Sequence, residues 1–275
     1  FFLQIEESSF DGLTKLKWLS LQDNNILLVP TSALTLLPSL AHLHMQFNRI
    51  AALSTELIRA TSTNLMTLSL TRNLVRDIPP RLFYNFKNLI SIELSGNMLS
   101  NISQNMFVGL EDTLQNLDIS YNQLTAITEL PLRNLISLNL AAIDLSYNAI
   151  KHIDNNAFVG LMNLYSLKLR GNRLTWFIGE HFNTGTGLEI LDLSYNRINY
   201  LSPTAFAIHP RLKRLDLSGN RIVQFCSNFI KSLQFLEWLD LSRNMLRHVN
   251  KFAFSQIGRL RDLDLSDNRI ESVRK

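Results

Sequence analysis

Apolar and polar residues follow one another along the chain in a short recurring frame, Leu-x-x-Leu-x-Leu-x-x-Asn-x-Leu. Its first copy contains Leu16, Leu19, Leu21, Asn24 and Ile26. An amphipathic helical bundle would need apolar residues three and four positions apart throughout. The alternation of Leu19 and Leu21 ahead of a polar residue instead predicts a short strand that leaves the core at a turn.

The Asn of this frame recurs at intervals of 24 to 26 residues, and apolar residues follow it at five and ten positions. Such a period indicates a solenoid, in which each coil covers the apolar side of its neighbours. A carboxamide at the turn donates and accepts hydrogen bonds, so we expect it to satisfy backbone groups that the turn leaves unpaired. The Asn ladder consists of Asn24, Asn48, Asn73, Asn97, Asn122, Asn148, Asn172, Asn196, Asn220, Asn244 and Asn268.

The frame resembles the 24-residue leucine-rich repeat, and the resemblance covers essentially all of residues 1–275. It implies an α/β-type repeat solenoid with about 12 strand-bearing coils. The expected shape is a curved arc, with a parallel β-sheet on the concave face and irregular or short helical segments on the convex face. The position ten residues after each Asn, which is most often Phe, is expected to fill the wider convex side.

One interval departs from the period. A repeat begins around Leu138 and would place Asn139 on a concave strand, but the next frame starts at once with Ile143 and leads to Asn148. The five residues from Leu138 to Ile143 cannot complete a coil. We therefore expect that roughly 20 or more residues are missing near 141–142; the alternative is a genuine local kink in the solenoid.

The two ends of the sequence also look incomplete. The first and last repeats lack part of the frame, and the chain contains a single cysteine, Cys226, in place of Cys-rich caps. Solenoids need polar caps at their ends. The expectation is that residues 1–275 form an uncapped fragment of a longer ectodomain. Cys226 is expected to be a buried thiol; the alternative is a disulfide to a part of the protein outside this sequence.

The residues between the strand leucines are expected to point outward and to form a partner-binding surface on the concave face. Large aromatics such as Trp18 and Trp238 on an open sheet are typical interface anchors, although shielding by neighbouring side chains explains them equally well. The acidic ladder from Asp192 to Asp264 is a docking strip for a basic partner, a cation site, or the common filler of this repeat. The candidate residues are Trp18, His42, His44, Glu93, Asp118, Lys168, Ile190, Asp192, Arg214, Asp216, Trp238, Asp240 and Asp264.

Two further columns flank the Asn ladder. Tyr121, Tyr147 and Tyr195 each precede an Asn, and we interpret them as packing at the strand exit. Four arginines that each follow an Asn are interpreted as a solvated flank. They are Arg173, Arg197, Arg221 and Arg269.

Catalysis, metal binding and nucleic-acid binding are not indicated. His42 and His44 share a face, but the neighbouring strands offer Ser20 and Ser69 rather than a third ligand. No nucleophile with a nearby base and no phosphate-binding glycine loop is present, so we expect no enzyme and no cofactor. The chain has 27 basic and 23 acidic residues, a balance too even for a nucleic-acid partner.

The expected function follows from the resemblance and from one sequon. Asn101-Ile102-Ser103 is a glycosylation sequence, which places Asn101 on an exposed surface of an extracellular protein. The segment from Gly109 to Asn122 resembles the chaoptin-like adhesion proteins of arthropods. The resemblance implies an extracellular, cell-surface adhesion ectodomain with a membrane anchor outside this segment. The resemblance also implies a protein partner, either a second copy of the same chain or a different protein; the alternative is a ligand-binding receptor ectodomain of the Toll type.

Overall fold

The computed structural model describes residues 5–57, 64–128, 132, 139–182, 187–225, 227–250 and 253–274. Its contacts divide the chain into two compact units. The N-terminal unit comprises Phe1–Leu124 and Leu130–Leu140, and the C-terminal unit comprises Thr125–Glu129 and Ala141–Lys275.

The sheet of the N-terminal unit is parallel and follows chain order, so each strand lies next to the one before it in sequence. Two short helices precede or connect its strands, a 3-10 helix at Glu7–Phe10 and α1 at Thr31–Leu34. The strands are β1 (Trp18–Ser20), β2 (His42–His44), β3 (Thr67–Ser69), β4 (Ser91–Glu93) and β5 (Asn116–Asp118).

The C-terminal unit repeats the arrangement with six three-residue strands in one parallel sheet. These are β7 (Ala142–Asp144), β9 (Ser166–Lys168), β11 (Ile190–Asp192), β13 (Arg214–Asp216), β14 (Trp238–Asp240) and β16 (Asp262–Asp264). A 3-10 helix at Gly179–His181 and α2 at Ser227–Ile230 lie between strands.

A second set of strands, two or three residues long, lies in the C-terminal unit, and these strands pair in parallel with one another. They are β6 (Ala126–Ile127) with β8 (His152–Ile153), β10 (Trp176–Phe177) with β12 (Tyr200–Leu201), and β15 (His248–Asn250) with β17 (Ser272–Arg274). The coils that carry these strands therefore have a second extended segment before the chain returns to the main sheet.

The three-residue strands follow directly from the alternating frame. Successive side chains of a strand point to opposite sides, so the central residue faces the core and its two neighbours face outward. Leu43, Leu68 and Ile92 are stacked in register and fully buried, and Leu191 and Leu215 repeat this in the C-terminal unit. Because each coil has one narrow apolar side, stacking on both neighbours is what removes these leucines from water.

The return segments are filled by the column that follows each Asn at ten positions. Phe83, Phe107, Phe158, Phe182 and Phe206 are completely buried. In the C-terminal unit the rings of Phe158 and Phe182 stack with centroids 5.0 Å apart. Aromatic rings of this size contribute a large share of the buried apolar surface. The predicted solenoid with a parallel sheet and short helical or irregular segments is confirmed.

The irregular junction is only partly described. Ala142–Asp144 forms β7, so the frame that starts at Ile143 supplies a strand, whereas Leu138 lies outside the described residues. The prediction that Asn139 lies on a strand is wrong, because Asn139 lies in an irregular segment. Its Nδ2 donates a hydrogen bond of 2.5 Å to the backbone carbonyl of Asp112. The expected missing coil near 141–142 stays a prediction, which the sequence of a full-length transcript across this point tests.

Gly109 is expected to be one of the most sensitive glycines of the chain. It has φ +99°, and an added Cβ would lie 2.4 Å from the backbone Cα of Tyr84 and 2.8 Å from the carbonyl oxygen of Phe83. Gly12 also has positive φ, +81°, but nothing lies within 4 Å of the same position. We expect Gly109→Ala to lower the free energy of unfolding by about 1–3 kcal/mol more than Gly12→Ala does. Urea unfolding of both variants measures this, and equal losses would contradict it.

Candidate functional site

The strand face, by which we mean the outward side chains of the three-residue strands, is the candidate site. In the N-terminal unit it begins with Trp18, whose side chain is 57% exposed. The ring of His44 lies 5.3 Å from that of Trp18, and Nδ1 of His42 lies 3.2 Å from the hydroxyl oxygen of Thr67. Glu93 on β4 also belongs to this part of the strand face and is half-buried. The N-terminal strand face is thus aromatic and neutral at one end.

On the strand face of the C-terminal unit, an arginine stacks on a tryptophan. The register of β11, β13 and β14 places Ile190, Arg214 and Trp238 side by side. The guanidinium carbon of Arg214 lies 3.9 Å from the centroid of the Trp238 ring. A cation over the face of an indole is attracted by the ring's quadrupole. Arg214 stays exposed, and Trp238 is half-buried against it.

The carboxylates of the acidic ladder, which lies beside this stack, accept hydrogen bonds from the turns that follow their strands. Oδ1 of Asp192, Asp216, Asp240 and Asp264 each accepts the backbone N–H of the Ser two residues later, at 2.8–3.0 Å. The same bond is made by Asp118 in the N-terminal unit, at 2.9 Å. Each carboxylate therefore caps the first residue of the turn that leads to the Asn. This capping role was not predicted, although the repeated Leu-Asp-Leu-Ser indicates it.

The hydrogen bonds to these serines leave the acidic ladder with negatively charged carboxylates. Burial raises the pKa of Asp216, and the neighbouring carboxylates of Asp192 and Asp240 raise it further against the hydrogen bonds from Ser218. At the exposed end, the hydrogen bonds from Ser266 lower the pKa of Asp264. Lys168 differs from these positions, because its Nζ lies 3.3 Å from Asp144 in the same row. The strand face of the C-terminal unit is therefore acidic beside the Trp238 stack.

A network of tyrosines and arginines at the strand exits was not predicted. Nε of Arg170 donates to the Tyr147 hydroxyl at 2.7 Å, and its guanidinium carbon lies 4.4 Å from the centroid of Tyr195. Nη1 of Arg243 donates to the Tyr195 hydroxyl at 2.6 Å. The Tyr147 ring lies against Gly171, where a Cβ would approach it to 2.7 Å. The sequence does contain a sign of this packing, because Tyr and Gly alternate before successive Asn residues.

The Asn ladder holds the strand face in place by joining consecutive coils. Oδ1 of Asn196 accepts the N–H of Leu174 at 3.0 Å, and its Nδ2 donates to the carbonyls of Leu169 at 2.9 Å and Leu193 at 3.0 Å. Leu169 and Leu174 belong to the preceding coil. Oδ1 accepts in the same way in Asn48, Asn73, Asn97, Asn122, Asn172, Asn220, Asn244 and Asn268. Nδ2 of Asn24 and of Asn148 donates to carbonyls of its own turn.

Other predicted positions are placed as follows. Asn101 is exposed, and Cys226 lies outside the described residues. Within the described residues, His, Cys, Asp and Glu side chains do not gather in threes in a geometry that could hold a metal ion. In the same part of the chain, no helix reaches the length and apolar character that crossing a membrane requires.

The repeat pattern and the stacked coils agree with a family comparison. The sequence matches the family described as leucine rich repeat over residues 1–50, 63–124, 112–174, 162–222 and 210–270. The chain belongs to the leucine-rich repeat family. This leucine-rich repeat chain is 32% identical to lumican of Gallus gallus over 175 residues, which are 62% of the chain and 48% of lumican. It spans about half the length of that relative.

Solved leucine-rich repeat structures superpose well on this chain. The TLR13–ssRNA13 complex gives a TM-score of 0.79 at 25% identity, covering 96% of this chain and 42% of that one. The LRIM1/APL1C complex gives a TM-score of 0.76 at 26% identity, covering 99% and 48%. The assignment to chaoptin-like proteins stays a prediction, since these comparisons establish the repeat family and not that subgroup.

Proposed function

We propose that this leucine-rich repeat chain is an extracellular protein-binding scaffold and that it acts in cell adhesion through its strand face. The observation that carries the proposal is the stack of Arg214 on Trp238. Trp and Arg are the residue types most enriched among the energetically dominant contacts of protein interfaces. Here both stand on parallel strands fixed by the Asn ladder, so little conformational entropy is lost when a partner binds.

The proposed partner is a protein, either a second copy of this chain or a different protein. The acidic row beside Trp238, formed by Asp192, Asp216 and Asp240, favours a basic strip on that partner. The structural similarity to the LRIM1/APL1C complex supports protein binding, because that structure is a complex of LRIM1 with APL1C. The exposed sequon at Asn101 supports an extracellular location, and a membrane anchor outside residues 1–275 completes the adhesion proposal.

A receptor ectodomain of the Toll type is the second candidate. The superposition on TLR13 over 96% of this chain favours it. The ssRNA13 of that complex is a poor guide to the ligand of this chain, because the acidic row of the C-terminal strand face repels a polyanion. A receptor that binds a protein ligand agrees with the strand face as well as adhesion does.

Bead adhesion tests the adhesion proposal directly. Beads coated with the secreted chain are mixed with one another and, separately, with cell layers before and after trypsin treatment. Clumping of the beads indicates contact between like molecules, and trypsin-sensitive attachment to cells indicates a different protein partner. If neither occurs while a soluble protein ligand is captured by the same beads, the receptor candidate replaces adhesion; if no protein binds at all, both fail.

Trp238→Ala is expected to reduce bead adhesion by about tenfold or more, since aromatic anchors commonly contribute above 1.4 kcal/mol. The thermal midpoint should hardly change, because Trp238 is half-buried on the outer side of the sheet. Phe235→Ala is the matched control, since Phe235 is 41% exposed and carries Arg259 at 4.5 Å from its ring but lies off the strand face. Equal loss of adhesion in both variants, or a large drop in melting temperature for Trp238→Ala, would contradict the assignment.

A further inference from the structure

Arginines recur at the position that follows the Asn in several coils of the C-terminal unit. We call Arg173, Arg197, Arg221 and Arg269 the flank ladder. Their backbone N–H groups donate to the preceding coil, from Arg173 to Ile150 at 2.8 Å and from Arg197 to Leu174 at 2.8 Å. The same bonds run from Arg221 to Ile198 at 2.8 Å and from Arg269 to Leu246 at 2.9 Å. The first three arginines therefore stand on adjacent extended segments, about 4.8 Å apart.

The side chains of the flank ladder are exposed and carry no ion pair within the described residues. Two other cations of the same unit do have carboxylate partners: Nζ of Lys213 lies 2.6 Å from Glu189, and Arg261 lies 3.5 Å from Glu237. Like charges on neighbouring strands destabilise a fold. Arg173, Arg197 and Arg221 thus form a row of three guanidinium groups on successive coils that no ion pair compensates within the described residues.

The charges of the unit are also separated in space. The acidic row occupies the strand face at the position four residues before each Asn, as in Asp216, and the arginines occupy the position one residue after it, as in Arg221. Every coil that carries both therefore turns a carboxylate to the strand face and a guanidinium to the flank. A partner of the flank has to be negatively charged and has to avoid the strand face.

We infer that the flank ladder binds a sulfated polysaccharide chain of the glycosaminoglycan type. A guanidinium group presents a planar fork of donors that binds tetrahedral oxyanions in bidentate fashion, and it keeps its charge at any physiological pH. One arginine per coil matches a linear polymer that carries an anionic group every few ångströms. Next to the ladder, Tyr200 on β12 is 57% exposed, and its ring offers an apolar surface to a sugar face.

The same geometry disfavours a nucleic-acid duplex. Five residues separate Asp216 from Arg221, so their backbones lie at most about 17 Å apart. A duplex on the flank ladder would bring a second strand of phosphates towards the acidic row, whereas a single polysaccharide chain is narrow enough to follow the arginines alone. The inference rests on the extracellular location proposed above, where such polysaccharides occur, but it concerns a different surface from the protein-binding strand face.

The test uses the whole chain and a heparin-derived oligosaccharide, with binding measured by titration calorimetry at two salt concentrations. The variant Arg173→Gln/Arg197→Gln/Arg221→Gln removes three charges from the flank ladder. Its control, Lys87→Gln/Arg211→Gln/Lys231→Gln, removes three exposed charges that are scattered over the chain. The ladder variant should bind about tenfold more weakly and with a smaller salt dependence, and the control should stay within twofold of wild type.

Several outcomes would overturn the inference: no binding of the oligosaccharide, equal loss in both triple variants, or equal affinity for an unsulfated polysaccharide of the same length. Equal affinity for an oligonucleotide or for anionic phospholipid vesicles would replace it with a general polyanion surface. The thermal midpoint of the ladder variant should equal or exceed that of wild type, because like charges are removed. Bead adhesion that survives in the ladder variant but not in Trp238→Ala separates this site from the proposed function.

Discussion

Lowering the pH from 7 to 4.5 is expected to reduce the free energy of unfolding by about 2–3 kcal/mol for each of two buried histidines in the C-terminal unit. His181 is 1% exposed and lies 5.3 Å from the Trp176 ring, and His209 is fully buried with its ring 4.5 Å from Phe182. Burial lowers the pKa of both to about 4, because an imidazolium cannot be solvated there.

The direction follows from proton uptake. The unfolded chain takes up these protons below its ordinary pKa of about 6.5, whereas the folded chain does so only near pH 4. The stability that depends on the neutral rings is therefore complete above pH 6.5 and is lost as the pH falls towards 4. The raised pKa of Asp216 acts in the opposite direction, because its folded state gains protons first on acidification.

Urea unfolding at pH 7, 5.5 and 4.5 measures the effect. The double variant His181→Phe/His209→Phe should have a flatter pH dependence than wild type, and the difference between the two isolates the histidines because Asp216 is present in both. His42→Gln, a half-buried histidine on the N-terminal sheet, serves as the control. If the double variant lost stability on acidification as steeply as wild type, the two rings would not be the cause.

Asn196→Ala is expected to lower the free energy of unfolding by about 1–3 kcal/mol, because it leaves the buried N–H of Leu174 without a partner. The carbonyl of Leu169, which also accepts from Asn196, keeps the hydrogen bond from Nδ2 of Asn172. Leu174 belongs to the coil before Asn196, so the variant should loosen the contact between two coils. Denaturant unfolding followed by tryptophan fluorescence measures the loss.

Asn24→Ala is the matched control, since Asn24 is exposed and its Nδ2 donates to the carbonyls of Leu21 and Gln22 in its own turn. It should cost less than half as much as Asn196→Ala. Similar costs for the two substitutions would mean that the bond to the neighbouring coil contributes little and that the Asn acts only within its own turn.

The parts of this fold that were predictable are those encoded in a local period. Leu191 and Asn196 occupy fixed places in one coil, so the sequence predicts both the buried stripe and the amide at the turn. The interval around Asn139 was harder to predict, because two frames overlap there and Asn139 itself lies in an irregular segment. Which of two overlapping frames forms the strand depends on pairing with neighbouring coils, and this information is absent from the local spacing.

The candidate site was less predictable, because its contacts join long side chains from different coils. The outward direction of Arg214 and Trp238 follows from strand alternation, but their stacking depends on rotamers. The same applies to the Arg170 guanidinium, which reaches Tyr147 in one direction and Tyr195 in the other. The capping role of Asp216 was within reach, since a carboxylate two residues before a serine at a turn is a common local hydrogen-bonding pattern.

The central claim is that the strand face makes the adhesive contact. Hydroxyl-radical footprinting of adhering beads tests it most directly, because the oxidation rates of aromatic side chains on different surfaces of the chain can be compared. Trp238 lies on the strand face, Tyr200 on the flank and Tyr84 on neither, with Tyr84 and Tyr200 53% and 57% exposed. Contact through the strand face predicts that the oxidation of Trp238 slows when the beads adhere, while Tyr84 and Tyr200 react at unchanged rates. Protection of Tyr84 or Tyr200 with Trp238 reacting as fast as in the dispersed protein would contradict the claim.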